Sequence, residues 1–184
     1  SDLAMSNGSS VKFEALHDIN LSANLGVSGA GTIALQSGGG GSVNLLAGTL
    51  STSAGSLTVN GNLIQTQGSV LSLGGSSNTI TGQYQINNTT GTSTLGGGGV
   101  LQANGGIKLT AGTLSFLGNS TLKLGGASSW TGGQITGSGV IDLKPAAILN
   151  LNGPTNLSLN GGTLSNSGTI KVDFFIRPFG SYLA

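Results

Sequence analysis

The chain has no cysteine, only three prolines and few charged or aromatic residues. Without cysteine it has neither a disulfide framework nor a thiolate metal site. Charged residues make up 6% of its 184 positions, against about 25% in a typical domain, which argues against an average globular enzyme. No apolar run approaches the roughly 18 residues of a membrane-spanning helix, so no membrane span is expected.

Positive charge is also sparse. The net charge is +1, and the basic residues are scattered singly instead of forming a patch. A protein that binds nucleic acid neutralises phosphates with clustered lysine and arginine, so nucleic acid is not an expected partner. The six basic residues are Lys12, Lys108, Lys123, Lys144, Lys171 and Arg177.

The residues that are abundant indicate short strands joined by tight turns. The chain has 35 glycines, which disfavour helix, yet leucine, isoleucine and valine recur regularly, unlike in disordered chains. Clusters such as Val140-Ile141-Asp142-Leu143 and Leu157-Ser158-Leu159 alternate between apolar and polar residues, as strands with one buried face do. Glycine and asparagine between the clusters are typical of turns.

These clusters repeat with a period of about 22 positions, within the range that indicates a repeat architecture. Gly-Thr-Leu-Ser occurs at 48–51, 112–115 and 162–165. Apolar residues recur at intervals of about one period, as in the pairs Leu35 and Leu57, Leu114 and Ile135, Ile135 and Leu157, Ile141 and Leu164, and Leu149 and Ile170. The period predicts an all-β parallel β-solenoid of about eight coils with three strands each. The candidate core stack is Leu114, Ile135, Leu157, Ile141, Leu164, Leu149 and Ile170.

An immunoglobulin-like sandwich is the alternative fold. It also has many short strands, but it needs no such repeat, and turn signals here are too closely spaced for strands that span a sandwich. The solenoid is therefore preferred.

One segment resembles known surface proteins. The stretch from Trp130-Thr131-Gly132-Gly133 to Val140-Ile141, with Gly162-Thr163-Leu164 and Ser167-Gly168-Thr169-Ile170 after it, resembles repeats of filamentous-haemagglutinin-like and autotransporter-like adhesins. The likeness is closest over residues 130–172. The resemblance implies a right-handed parallel β-helix, exported to the cell surface or beyond, that acts in adhesion, biofilm or surface fibres.

The two ends differ from the middle, which suggests three regions. Residues 1–20 are the most charged and are expected to form an N-terminal strand or polar cap, residues 21–172 the solenoid, and residues 173–184 an aromatic tail. Four of the eight aromatic residues lie in that tail. They either fold back on the last coil or dock onto a neighbouring subunit; the candidate docking residues are Phe174, Phe175, Phe179 and Tyr182.

Residues for catalysis are few, and neither an enzyme nor a cofactor or metal site is expected. The separation of Asp142 from Asp173 is neither one nor two repeats, so they do not stack as a general acid and base on neighbouring coils. His17 and Asp18 are adjacent, and on a strand they would point to opposite faces.

Two functions remain as hypotheses. The first is a structural subunit of an extracellular or cell-surface fibre, whose partner is a second copy of itself. The second is an adhesin or stalk segment that binds surfaces or glycans through the side of the rod. An ice-binding solenoid is disfavoured, because its threonines should repeat once per coil, whereas Thr79-Ile80-Thr81 and Thr92-Ser93-Thr94 are separated by much less than one period.

Overall fold

The fold is known from a computed structural model, which describes residues 2–89, 91–153 and 157–173. Those residues form strands and turns and contain no helix, and hence none long and apolar enough to cross a membrane. The first four coils contain β1 (Leu3–Met5), β2 (Ser10–Ala15), β3 (Ile19–Leu21), β4 (Leu25–Val27), β5 (Thr32–Ser37), β6 (Ser42–Leu45), β7 (Thr49–Thr52), β8 (Ser56–Asn60), β9 (Asn62–Thr66), β10 (Val70–Leu73), β11 (Asn78–Ile80) and β12 (Tyr84–Asn87). The last four contain β13 (Thr92–Gly96), β14 (Val100–Ala103), β15 (Ile107–Leu109), β16 (Thr113–Phe116), β17 (Thr121–Leu124), β18 (Ala127–Trp130), β19 (Gln134–Gly137), β20 (Val140–Leu143), β21 (Ile148–Leu151), β22 (Ser158–Asn160), β23 (Thr163–Asn166) and β24 (Thr169–Val172).

Corresponding strands of successive coils pair in parallel and form three eight-stranded sheets. Sheet 1 contains the first strand of every coil, from β1 to β22; sheet 2 contains the second strands, from β2 to β23; sheet 3 contains the third strands, from β3 to β24. At a strand spacing of about 4.8 Å, each coil adds one layer to a rod. The predicted β-solenoid, with eight coils of three short strands, is confirmed. Its right-handed sense remains a prediction from the resemblance.

The coils are not equally long, and this changes some of the predicted stacks. The number of residues between paired positions of successive coils varies. It is larger where Leu25 pairs with Leu50 than where Leu122 pairs with Ile141. A fixed interval therefore misplaces some pairs, because the turns absorb the extra residues. Leu35 lies beside Val59, not beside Leu57.

The same effect corrects one predicted member of the core stack. Ile135 lies beside Leu159, not beside Leu157, which precedes β22 and is only half-buried. The other predicted neighbours lie side by side in the sheets. These pairs are Leu114 and Ile135, Ile141 and Leu164, and Leu149 and Ile170; Leu164 and Ile170, in the last coil, are half-buried, whereas the other four are buried.

Glycine is required where the turns of successive coils stack. A β-carbon on Gly55 would overlap the carbonyl oxygen of Gly31, so no larger residue fits between these two turns. Gly97 has a φ of +91°, which side-chain-bearing residues rarely adopt. Close backbone stacking therefore explains part of the high glycine content.

The N-terminal segment is the first coil of the solenoid. β1, β2 and β3 each pair with the matching strand of the second coil, so the coiled region includes the residues before 21, from Leu3 onward. The expected amphipathic strand is β2, in which Val11 and Phe13 are half-buried. The charged residues here lie on the outside of a coil and do not form a separate cap.

Candidate interaction surfaces

Sheets 2 and 3 carry charged side chains on their outer faces. On sheet 2, Lys12 pairs with Glu14 at 2.6 Å, and Lys123 lies beside Asp142 of the next coil. On sheet 3, one outer column contains four amides and two lysines among its eight residues, and we call it the amide column. Its residues are Asn20, Asn44, Ile64, Gln85, Lys108, Ser129, Asn150 and Lys171.

Sheet 1 has an uncharged outer face. From the third coil to the eighth, two columns of its outward positions carry mostly hydroxyl-bearing side chains, and a third column beside them contains Ser51, Ser72 and Gly96. One column is Thr49, Val70, Thr94, Ser115, Thr136 and Asn160; the other, from the fifth coil onward, is Thr92, Thr113, Gln134 and Ser158. We call these two columns the hydroxyl face.

Acidic and amide side chains tie neighbouring coils together at the starts of strands. Asp2 accepts hydrogen bonds from the backbone N–H and the side-chain amide of Asn24, both at 3.0 Å, and Asn24 in turn accepts one from the Thr49 N–H at 2.8 Å. The Asn24 backbone N–H, with the help of its side-chain amide, lowers the pKa of Asp2. The Asp2 carboxylate therefore has a structural role.

A second such contact explains the charged pair singled out in the sequence. His17 and Asp18 lie in the turn between β2 and β3, so their side chains do not point to opposite faces as a strand would require; Nδ1 and Oδ1 are 3.4 Å apart. Asp18 also accepts a hydrogen bond from the Ser42 N–H at 2.7 Å, which is the main reason why its pKa is lowered, with His17 contributing less. The turn thereby attaches the first coil to the second.

Asp142 and Asp173, which their sequence separation does not predict to stack, lie at different sheets. Asp142 lies on sheet 2 between Lys123 and Ser165, with Lys144 at 3.7 Å, whereas Asp173 follows the last strand of sheet 3. Among residues 2–89, 91–153 and 157–173, no group of three histidine or acidic side chains is placed to hold a metal ion.

The core contains a cluster of buried polar side chains that the sequence did not predict. Gln65 donates from Nε2 to the carbonyl oxygens of Ser69 and Thr94, at 2.8 and 2.9 Å, and accepts a hydrogen bond from the Tyr84 hydroxyl. Buried Asn88 donates to the Ser93 hydroxyl at 3.1 Å. The alternation of inward and outward positions along a strand could have indicated the buried glutamine, because in Leu63-Ile64-Gln65 the glutamine stands two positions after an inward leucine.

Asn78 occupies another inward position and acts in the same way. Its Oδ1 accepts from the Leu57 N–H at 2.9 Å, and its Nδ2 donates to the carbonyls of Gly75 and Val100 at 2.7 and 3.0 Å. It therefore joins three successive coils from inside the rod. Every buried side-chain nitrogen and oxygen of the described residues has a hydrogen-bond partner.

The first coil leaves a cleft at one end of the rod, with a volume of about 260 Å³. Its lining is mixed: Leu3, Phe13, Leu21 and Leu25 form the apolar part, beside Asn20, Ser22, Ala23 and Asn24. Leu3 is 43% exposed although it stands in the same column as buried Leu25. The four aromatic residues proposed for docking, Phe174, Phe175, Phe179 and Tyr182, lie outside the described residues.

Comparison of the chain with family models, with curated proteins and with solved structures finds no match.

Proposed function

We propose that this chain is a structural subunit of an extracellular or cell-surface fibre, in which the coils of one molecule stack on those of the next. The carrying observation is the repeated pairing of the coils: corresponding strands of all eight described coils pair in parallel in the same three sheets, and a coil of a second copy would pair with the first coil in the same way. A strand with an unpaired edge offers a row of N–H and C=O groups to another strand.

The side chains of the first coil support the same proposal. Leu3, Phe13 and Leu21 form the apolar part of the cleft and continue the columns of the core. A further coil would cover them as the second coil covers the first. Because the same three sheets run through all eight coils, the far end has a matching cross-section. Stacking of one end on the other is a head-to-tail contact, which forms open filaments when it does not close into a ring.

Electron microscopy of the purified full chain tests the proposal. We expect filaments whose length increases with protein concentration. Phe13→Asp places a charge in the apolar column that Phe13 shares with Leu35 and should leave mainly single rods, because burying an unpaired carboxylate is strongly unfavourable. Ser10→Asp is the matched control, since it adds the same charge on the same strand at an exposed position. Single rods of wild-type protein at every concentration would contradict the proposal.

The aromatic tail is tested separately. If residues 173–184 dock onto a neighbouring subunit, a chain that ends at Val172 should form shorter or fewer filaments while keeping its β-sheet circular dichroism. Filaments equal to those of the full chain would refute docking by the tail but not coil stacking.

The second candidate is an adhesin or stalk segment that binds glycans through the side of the rod. The amide column of sheet 3 favours it, since Asn20, Asn44 and Asn150 face outward and amides both donate to and accept from sugar hydroxyls. In this case the protein should stay monomeric and bind a glycan array, and Asn44→Ala should weaken binding. Filaments without glycan binding would favour the first candidate.

A further inference from the structure

We propose that the hydroxyl face of sheet 1 binds ice, the ordered surface of crystalline water. Hydroxyl groups of successive coils lie side by side on this face. Thr92 lies beside Thr113 and Thr94 beside Ser115, so a pair of hydroxyls recurs at equivalent positions of two successive coils. Thr79-Ile80-Thr81 begins in β11 on sheet 2, so it does not share this face. The two threonine motifs therefore lie on different faces, and their spacing in the sequence does not describe the alignment of hydroxyls on sheet 1.

The outward side chains of the hydroxyl face are spaced regularly in two directions. Successive coils are about 4.8 Å apart, and outward residues two apart on one strand are about 6.6 Å apart. Threonine and valine have few side-chain rotamers, so Thr94, Thr136 and Val70 hold their positions with little entropy left to lose. A rigid two-dimensional lattice of this kind suits a partner that is itself periodic.

Several hydroxyl groups of this face have no hydrogen-bond partner within the described part of the protein. Within the described part of the chain, the hydroxyl groups of Thr94, Ser115 and Thr136 make no hydrogen bond to protein, whereas buried Ser93 donates to the Thr66 carbonyl at 2.9 Å. These three hydroxyls are free to replace lattice waters, and threonine methyl groups can occupy the spaces between those waters. The Thr113 hydroxyl instead accepts a hydrogen bond from Gln134 Nε2 at 3.0 Å.

The hydroxyl face also differs from the other two sheets in charge. All charged side chains placed on strands of the described chain lie on sheets 2 and 3, and none lies on the hydroxyl face. A charged group orients a hydration shell around itself that does not fit an ice lattice. The hydroxyl face is the one side of the rod where adjacent water is organised by neutral side chains, most of them hydroxyl-bearing.

The composition of the face favours ice over a sugar. Sites for single small molecules are usually concave and lined by aromatic side chains. The hydroxyl face carries no aromatic side chain that would stack on a sugar ring, since Phe116 of β16 points into the core. A crystalline polysaccharide is therefore an outcome of the test and not the proposed partner.

The test uses the full chain, taken from the monomeric fraction so that fibre formation plays no part. Growing ice is expected to take up the protein from solution, and the protein is expected to inhibit ice recrystallisation. Ser115→Lys and Thr136→Lys should each require about tenfold more protein for the same inhibition, a tenfold change being a modest loss of binding free energy. The controls Gln102→Lys, on sheet 2, and Gln85→Lys, on sheet 3, add the same charge and should change nothing.

Circular dichroism and the melting temperature of each variant establish that it folds. If a lysine variant fails to fold, the double variant Ser115→Ala, Thr136→Ala removes the hydroxyls without adding charge and should still weaken inhibition. Wild-type protein excluded from ice, or equal losses in the controls on sheets 2 and 3, would overturn the proposal. Retention on crystalline cellulose without uptake by ice would also overturn it and assign the face to a polysaccharide.

Discussion

Individual buried polar side chains set the alignment of the central coils. In sheet 3, Gln65 lies between Leu45 and Ile86, in a column that is otherwise apolar over this stretch. Its amide contacts groups of the third, fourth and fifth coils, and each contact depends on how those coils are aligned. Because a buried polar group without a partner is unfavourable by about 1–3 kcal/mol, shifted alignments are disfavoured. A leucine at this position would fit the apolar column, but without hydrogen bonds it would not favour one alignment of the coils over another.

Tyr84→Phe tests this cluster. It removes the hydroxyl that donates to Gln65 and leaves the Gln65 oxygen buried without that donor, so the free energy of unfolding should fall by about 1–3 kcal/mol near neutral pH. Burial raises the pKa of Tyr84 above its ordinary value of 10.0. The folded protein then keeps the proton while the unfolded chain loses it, so stability from this group is complete below pH 10 and declines at higher pH.

Urea denaturation of both proteins at several pH values measures the effect. The difference between wild type and Tyr84→Phe should shrink above pH 10, because phenylalanine has no proton to lose. A difference that stays constant with pH would contradict the assigned burial of the hydroxyl.

Each strand is too short to be stable alone and depends on the strands on both sides. β17 has two buried leucines, Leu122 and Leu124, and a partner on each edge. β23 contributes Leu164 to the same column as Leu122, but it has one neighbour among the described strands and Leu164 is only half-buried. Equivalent side chains therefore differ in their contribution to stability according to their coil.

The pair Leu122→Ala and Leu164→Ala measures this difference. Leu122→Ala should lower the free energy of unfolding by about 2–5 kcal/mol, as is usual when a fully buried leucine is truncated and a cavity remains. Leu164→Ala should have a smaller effect, since part of its side chain is already in contact with water. Midpoints of urea denaturation give both values, and equal losses would contradict the burial of this column.

The complete rod is a one-dimensional array. Sheet pairing joins each coil only to the coils directly before and after it, so stability is close to a sum of coil and neighbour terms. The central coils also carry the buried polar cluster, which adds contacts that run across the core between sheets. Opening is therefore expected to begin at the ends.

Hydrogen exchange read by mass spectrometry checks this expectation. Peptides that contain β11, β14 and β17 should exchange most slowly, and those that contain β1 and β23 fastest, since terminal strands open at a lower free energy. Filament formation through the first coil would protect β1, β2 and β3 selectively, so the measurement is made on single rods and on filaments. Uniform exchange along single rods would contradict the array behaviour.

The fold class could be predicted from the sequence, because alternating apolar clusters, glycine turns and a regular repeat are local properties of a solenoid. The pairs Leu114 and Ile135 and Ile141 and Leu164 were predictable too, since the coils there have nearly the average length. The alignment elsewhere, such as Leu159 beside Ile135, emerges only in the folded rod, because turns of different length shift each strand.

Folding also determines which polar residues lie inside and which form one outer face. Gln65 and Thr94 are similarly polar in the sequence, yet one is buried in the core and the other lies on the hydroxyl face. A residue two positions along a strand stays on the same side, but residues a coil apart become neighbours only once the turns between them have set the alignment. That dependence on the turns is why the repeat was readable from the sequence whereas the hydroxyl face and the polar cluster were not.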